Sequence, residues 1–239
     1  MKPANDFTQS RFDLIDAFGG GECAVCALGR KSVERYIAAI NYDSVGDPGV
    51  RRQFMQAQGF CNIHAYQWLD SAFVLGTASL FRELFQILVE EVQSVEHSPN
   101  PLGERVGRWL GYHTEEGEPF DQPAERCPAC VWLAATESML IDTMTGELLE
   151  PSFRSAFEAS AGLCLPHVRQ ALAHASTEEA FSLVRDHTIA LEITLIAQLG
   201  KIIRKHDYRF REESAGDAVG AAARAVGHVI GFHGLTRPQ

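Results

Sequence analysis

Downstream of Cys26, apolar residues recur at three- and four-residue intervals: Leu28, Val33, Tyr36, Ile37 and Ile40. That spacing marks one face of an amphipathic helix. The stretch NYDSVGDPGV then breaks the pattern. Asp47 is placed to cap a short second helix with Pro48 at its first position, and Gly59 to end it in a left-handed conformation. A third, long helix is predicted to open at Cys61 to His64 and to run through HAYQWLDSAFVLGTASLFRELFQILVEEVQSV. The order then recurs: a helix from about Val131, a short one near Pro151 to Ala161, and a long pair of stretches from His167 to about Arg204. Between the two series, His97 to Arg126 carries Pro99, Pro101, Pro119 and Pro123 and reads as a connector, with one short helix around Arg105 to Tyr112. An alanine- and valine-rich tail, Gly216 to Gly231, again has helical spacing. Alternating, β-branched strand patterns are missing, so the expected fold is all-α.

The cysteines add a second periodicity. Cys23 and Cys26 form a CxxC pair, as do Cys127 and Cys130; Cys61 with His64 and Cys164 with His167 form CxxH pairs. By chance a cysteine in this chain meets Cys or His three residues on about 6% of the time, so four such pairs indicate metal-ligand spacing. The series Cys23, Cys26, Cys61, His64 repeats as Cys127, Cys130, Cys164, His167 at shifts of 104 and 103 residues. Phe54 and Phe157 each lie seven residues before the third cysteine of their series, and Gly59 and Gly162 two before it. Gln67 and Gln170, and Leu69 and Leu172, extend the match beyond the histidines. The expected architecture is an internally duplicated helical bundle. Its parts are a first repeat over 1–96, the connector 97–126, a second repeat over 127–213 and a C-terminal helix and tail over 214–239.

Helix starts explain the choice of position. Each CxxC precedes a helix and each CxxH opens another, where free N–H groups and the helix dipole stabilise thiolates. Three thiolates and one imidazole suit tetrahedral zinc with no open position, giving two zinc ions per chain. An iron–sulfur cluster with one histidine ligand is the alternative. The simplest pairing keeps each ion within its own repeat: Cys23, Cys26, Cys61 and His64 on one, Cys127, Cys130, Cys164 and His167 on the other. The crossed arrangement, Cys23 and Cys26 with Cys164 and His167, costs only about 1 kcal/mol more in loop closure and stays open.

Composition narrows the function classes. Against 31 acidic residues stand 21 Lys and Arg, a net charge of −10, which disfavours bulk nucleic-acid binding. With 46% hydrophobic and 22% charged residues the chain has the make-up of a globular protein. No apolar run is long enough for a membrane span, and the N-terminal residues lack a signal-peptide core, so a cytoplasmic location is expected. A disulfide framework is disfavoured in that compartment and would leave His64 and His167 unexplained. A thioredoxin-like motif would need a βαβ context, which is absent.

The segments CAVC, GFCNIH, CPAC and GLCLPH, with IIRKHDYRFREE near the C-terminus, resemble a bacterial and archaeal family of unknown function, the domain family numbered 6062. The resemblance spans nearly the whole chain and implies a soluble, metal-binding helical protein without supplying an activity. The chain departs from it in the last helix, where GAAARAVGHVIG replaces an expected aromatic residue.

Other candidates are weaker. Lys205 to Arg211, KHDYRFR, reads as a helix end docking on the core, with anion or partner binding as the rival. Asp186, His187 and Glu192, set against Glu83, Glu90 and Glu91, lack the paired Glu-x-x-His of a di-iron bundle and read as solvated faces. Arg30, Lys31, Arg51 and Arg52 read as surface charges. Gly19 to Gly21 has no following Lys-Ser/Thr and is no phosphate loop. Two functional classes remain: a non-enzymatic scaffold with structural zinc that engages another protein, and a redox or metal-handling protein using the same Cys3His sites.

Overall fold

The computed structural model describes residues 7–71, 74–94 and 126–231. These are about 80% helical, and among the described residues there is no strand. In chain order the α-helices are α1 (Phe7–Phe18), α2 (Ala24–Ala39), α3 (Pro48–Gln56), α4 (Asn62–Ser71), α5 (Val74–Ser94), α6 (Pro128–Glu147), α7 (Pro151–Glu158), α8 (Leu165–His174), α9 (Glu178–Lys205) and α10 (Ala221–Ile230). A π-helical turn, Ile40–Ser44, continues α2, and 3-10 turns lie at Tyr208–Phe210 and Gly216–Ala218. None of the described helices is long and apolar enough to cross a membrane. The connector and its short helix around Arg105 to Tyr112 lie outside the described residues.

Two compact units emerge: Met1–Tyr36 with Ala129–Gln239, and Ile37–Pro128. The larger is built around Leu14, Phe18, Val25, Ile141, Met144, Leu148, Phe153, Phe157, Leu163 and Val184, all buried. Helix α1 was not anticipated from the sequence. It packs on α7, where the Phe18 ring meets Phe153 and Phe157 edge-on at 5.4 and 5.7 Å between centroids. Arg11 pins the same corner through Glu147 at 3.0 Å and Glu150 at 2.8 Å. Helix α9, the longest element, packs on α8 and α10. Its N-cap Thr177 accepts from Ala180 N–H, Glu178 and Glu179 occupy its first turn, and Arg204 and Lys205 its last, all matched to the helix dipole.

The smaller unit gathers Ile37, Ile40, Phe54, Trp68, Leu80 and Leu84 in its interior. Phe54 stands edge-on to Phe60 and Phe81, and Phe60 tilts against Trp68. Arg51 on α3 pairs with Glu83 on α5. The long third helix expected from His64 onward is instead two elements, α4 and α5.

The short helices α3 and α7 follow the sequence closely. Asp47 caps α3 by accepting from Gly49 and Val50 N–H, and Glu150 caps α7 by accepting from Phe153 N–H, each with proline in the first turn. The Ser152 hydroxyl and the Phe153 N–H hold the Glu150 carboxyl down at about 2. Gln58 takes the left-handed conformation at the end of α3 with φ 51°, and Gly59 follows at φ 99°. Gly162 sits at the matching place with φ 74°, and a Cβ there would collide with Leu191 of α9. These two turns deliver Cys61 and Cys164 to the starts of α4 and α8.

Candidate metal centres

All four ligand pairs stand at helix N-termini, as their spacing required. Cys23 immediately precedes α2 and Cys26 lies in its first turn; Cys127 and Cys130 stand likewise at α6. Cys164 is the N-cap of α8, with His167 one turn's depth inside it. Cys61 precedes α4, its carbonyl accepting from Ala65 N–H at 2.8 Å, and His64 follows in the first turn.

The eight residues assemble into two quartets, and the assembly is the crossed one. Cys23, Cys26, Cys164 and His167 form the first; Cys61, His64, Cys127 and Cys130 form the second, with ligand atoms within 4.8 Å of one another in each. The same-repeat pairing, Cys23 and Cys26 with Cys61 and His64, is therefore corrected. Each quartet takes its CxxC from one half of the sequence and its CxxH from the other. Loop closure discriminates weakly between the two arrangements, so packing decides. The Gly162 turn, wedged against α9 in the larger core, carries Cys164 to the start of α2.

Within the first quartet, His167 Nδ1 lies 3.1 Å from Cys164 Sγ, 3.4 Å from Cys23 Sγ and 3.5 Å from Cys26 Sγ, and Cys26 and Cys164 Sγ are 3.6 Å apart. In the second, His64 Nδ1 is 3.3 Å from Cys61 Sγ and 3.6 Å from Cys127 Sγ. A zinc tetrahedron with Zn–S near 2.3 Å has sulfur–sulfur edges of roughly 3.8 Å and somewhat shorter sulfur–nitrogen edges. The six distances given lie within about half an ångström of those edges. None of the six cysteines is in a disulfide.

Environment separates the two centres. Cys23, Cys26, Cys164 and His167 are all buried, whereas Cys61, Cys127 and Cys130 are half-buried around a buried His64. Burial pushes the Cys23 thiol up, while hydrogen bonds from Cys23 and Cys26 hold the Cys164 thiol far down. Burial alone would lower His167; hydrogen bonds to Cys164 and Cys26 and the contact with Glu137 outweigh it and raise the imidazole to about 11. A Cys164 thiolate facing a cationic ring is a charge pattern that a divalent ion can replace. Glu137 on α6 places Oε1 3.1 Å from His167 Nε2. It sets a carboxylate beside the far nitrogen of the imidazole, as metal-ligating histidines commonly have, in ion-pair contact and without an aligned hydrogen bond. Sequence reasoning passed over Glu137, although it lies ten residues after Cys127 and seven after Cys130 on the same helix.

The family's sequence profile matches residues 10–234, nearly the whole chain. The chain belongs to DUF6062, a family of unknown function. No curated protein and no solved structure gives a significant match. Membership assigns no activity to the chain.

The remaining sequence candidates resolve into structural parts. In KHDYRFR, Asp207 caps the 3-10 turn through Arg209 N–H and pairs with the Arg209 guanidinium, which keeps its carboxyl below the usual range. Arg204 covers the Phe210 ring at 3.8 Å and pairs with Glu213. The di-iron candidates disperse: Glu83 goes to Arg51, Gln58 donates to Glu91, Glu192 meets His228, and His187 tilts against the Phe157 ring. Arg30 pairs with Glu22 at 2.6 Å.

Proposed function

We propose that each quartet binds one zinc ion and that the chain is a metal-clamped helical scaffold which engages another protein. The observation that carries this reading is the convergence of eight donor residues, drawn from both halves of the sequence, into two sets whose donor atoms lie within 4.8 Å of one another. Four protein ligands fill a zinc shell and leave no position for substrate, so the ions serve folding. Zinc is favoured over an iron–sulfur cluster because the donor atoms of each quartet lie within 4.8 Å of one another, a spacing that suits a single ion.

Two further features support the scaffold. Ser32 Oγ on α2 lies 3.1 Å from Thr136 Oγ1 on α6. These two positions are 104 residues apart, the shift that separates the two CxxC pairs. Contact between equivalent positions is what a duplicated chain with an internal two-fold produces. The long helices also carry matching exposed apolar stripes: Phe85, Val89 and Val92 on α5, and Ile189, Ile193 and Ile196 on α9. Apolar stripes open to water suit a partner protein.

Elemental analysis of freshly purified protein, prepared with and without oxygen, tests the reading. Two zinc per chain in a colourless protein is the expected result. A brown protein containing iron and sulfide would replace zinc with clusters, and a metal-free, fully folded chain would reject the clamp.

A further inference from the structure

Beside the first quartet, and lined in part by its Cys23 and Cys164, lies a cavity of about 170 Å³. Its walls are the turns around Cys23 and Gly162, the face of α9 bearing Leu191 and Leu195, and Arg224 and His228 on α10. The lining is mainly apolar. An apolar protein cavity of about 150 Å³ accepts a benzene ring, so this space takes a ring or a short branched chain.

One cation at the wall, Arg224, is exposed to solvent. The Arg224 guanidinium donates to Val219 O at 2.8 Å, Gln198 Oε1 at 2.8 Å and Asp217 O at 3.0 Å, all neutral acceptors. Among the described residues it makes no ion pair. The acids nearby are already engaged: Asp217 by Lys201 at 2.7 Å, Glu22 by Arg30 at 2.6 Å, and Glu192 by His228 at 3.1 Å. Three carbonyls thus hold a planar cation in place without neutralising it. These bonds engage both hydrogens of Nη2 and one of Nη1, and leave the Nε–H and the second Nη1–H to donate a charge-assisted hydrogen bond to a carboxylate.

We propose that this cavity is a binding site for a small monocarboxylate with a compact apolar body, its carboxylate on Arg224 and its body between Leu191, Leu195 and the Gly162 turn. A single guanidinium balances one negative charge, which favours a monocarboxylate over a phosphate dianion. Gly162 is part of the design: with no Cβ, it leaves Leu191 in the wall and out of the cavity.

Isothermal titration of the full chain with benzoate, benzamide and inorganic phosphate tests the proposal, with zinc content and melting temperature recorded on the same samples. Benzoate is expected to bind once per chain, and benzamide, the neutral isostere, at least about tenfold more weakly, the loss of a charge-assisted hydrogen bond. Arg224→Gln should cost benzoate a similar factor while zinc content holds, and Leu195→Phe should close the cavity to it. No binding of benzoate, equal binding of benzamide, tighter binding of phosphate, or an Arg224→Gln variant that binds as well as the parent would each overturn it. Failure of benzoate in a chain holding two zinc ions rejects the cavity alone; a zinc-free chain that still binds benzoate rejects the metal reading alone.

Discussion

Replacing Cys164 with serine removes one corner of the first quartet, and the crossed geometry dictates which thiols feel the loss. Cys23 and Cys26 face Cys164 and His167 across edges of 3.4 to 3.6 Å. They should therefore lose protection, while Cys61, Cys127 and Cys130 keep their own ion. Structural zinc binds with about 10–16 kcal/mol, more than the whole stability of a typical domain. With free zinc at about a thousandfold over its dissociation constant, the linked stabilisation is about 4 kcal/mol. In a unit of this size each kcal/mol moves the melting temperature by about 2–4 °C, so a fall of roughly 8–16 °C is expected. The assay is alkylation of the native variant followed by mass spectrometry of each cysteine, alongside zinc content and thermal melting by circular dichroism. One zinc lost, with Cys23 and Cys26 newly labelled, is the expected result. Labelling of Cys127 and Cys130 with Cys23 and Cys26 still protected would refute the crossed pairing. An unchanged melting temperature would refute the structural role.

Further outcomes follow from the same geometry. Glu137→Gln weakens the carboxylate on His167 Nε2 and should lower zinc affinity of the first quartet by about 10–100-fold in chelator competition, leaving the second unchanged. Chelator should strip the second quartet first, because its cysteines are half-buried and those of the first are buried; biphasic release, with Cys61, Cys127 and Cys130 alkylated in the fast phase, checks this. Burial lowers the His187 pKa from its ordinary value of 6.5. The unfolded state therefore binds more protons there than the folded state, so the stability His187 contributes is complete above about pH 6.5 and is lost as pH falls below it. Denaturant titrations from pH 5 to 7 at constant zinc should show that slope, and His187→Gln should flatten it.

Much of this organisation is legible in the sequence because it is local. The CxxC and CxxH spacings, the Asp47 cap with Pro48, and the helical periods of α2 and α9 each depend on a few neighbouring residues. Helix α1 also carried a signal, Ser10, Leu14 and Phe18 at four-residue intervals, all buried, which the pull of the cysteines obscured. Pairing of the quartets is different in kind. Both arrangements close long loops at nearly equal entropic cost, and the choice lies in how Phe153, Phe157 and Leu163 pack with Leu14 and Phe18, contacts more than 130 residues apart. Glu137 was missed for a related reason. One acidic residue on a helix carries no signal until the fold sets it against the far nitrogen of His167. The KHDYRFR segment draws attention in the sequence by its density of charge and aromatics, yet Asp207 and Arg209 satisfy each other and Arg204 rests on Phe210.

Anomalous diffraction at the zinc absorption edge, from crystals of the full chain as purified, tests whether each quartet holds a zinc ion. Two peaks per chain are expected, one inside Cys23, Cys26, Cys164 and His167 and one inside Cys61, His64, Cys127 and Cys130. A peak bonded to Cys26 and His64 together, or the absence of any peak in well-folded crystals, would contradict that expectation.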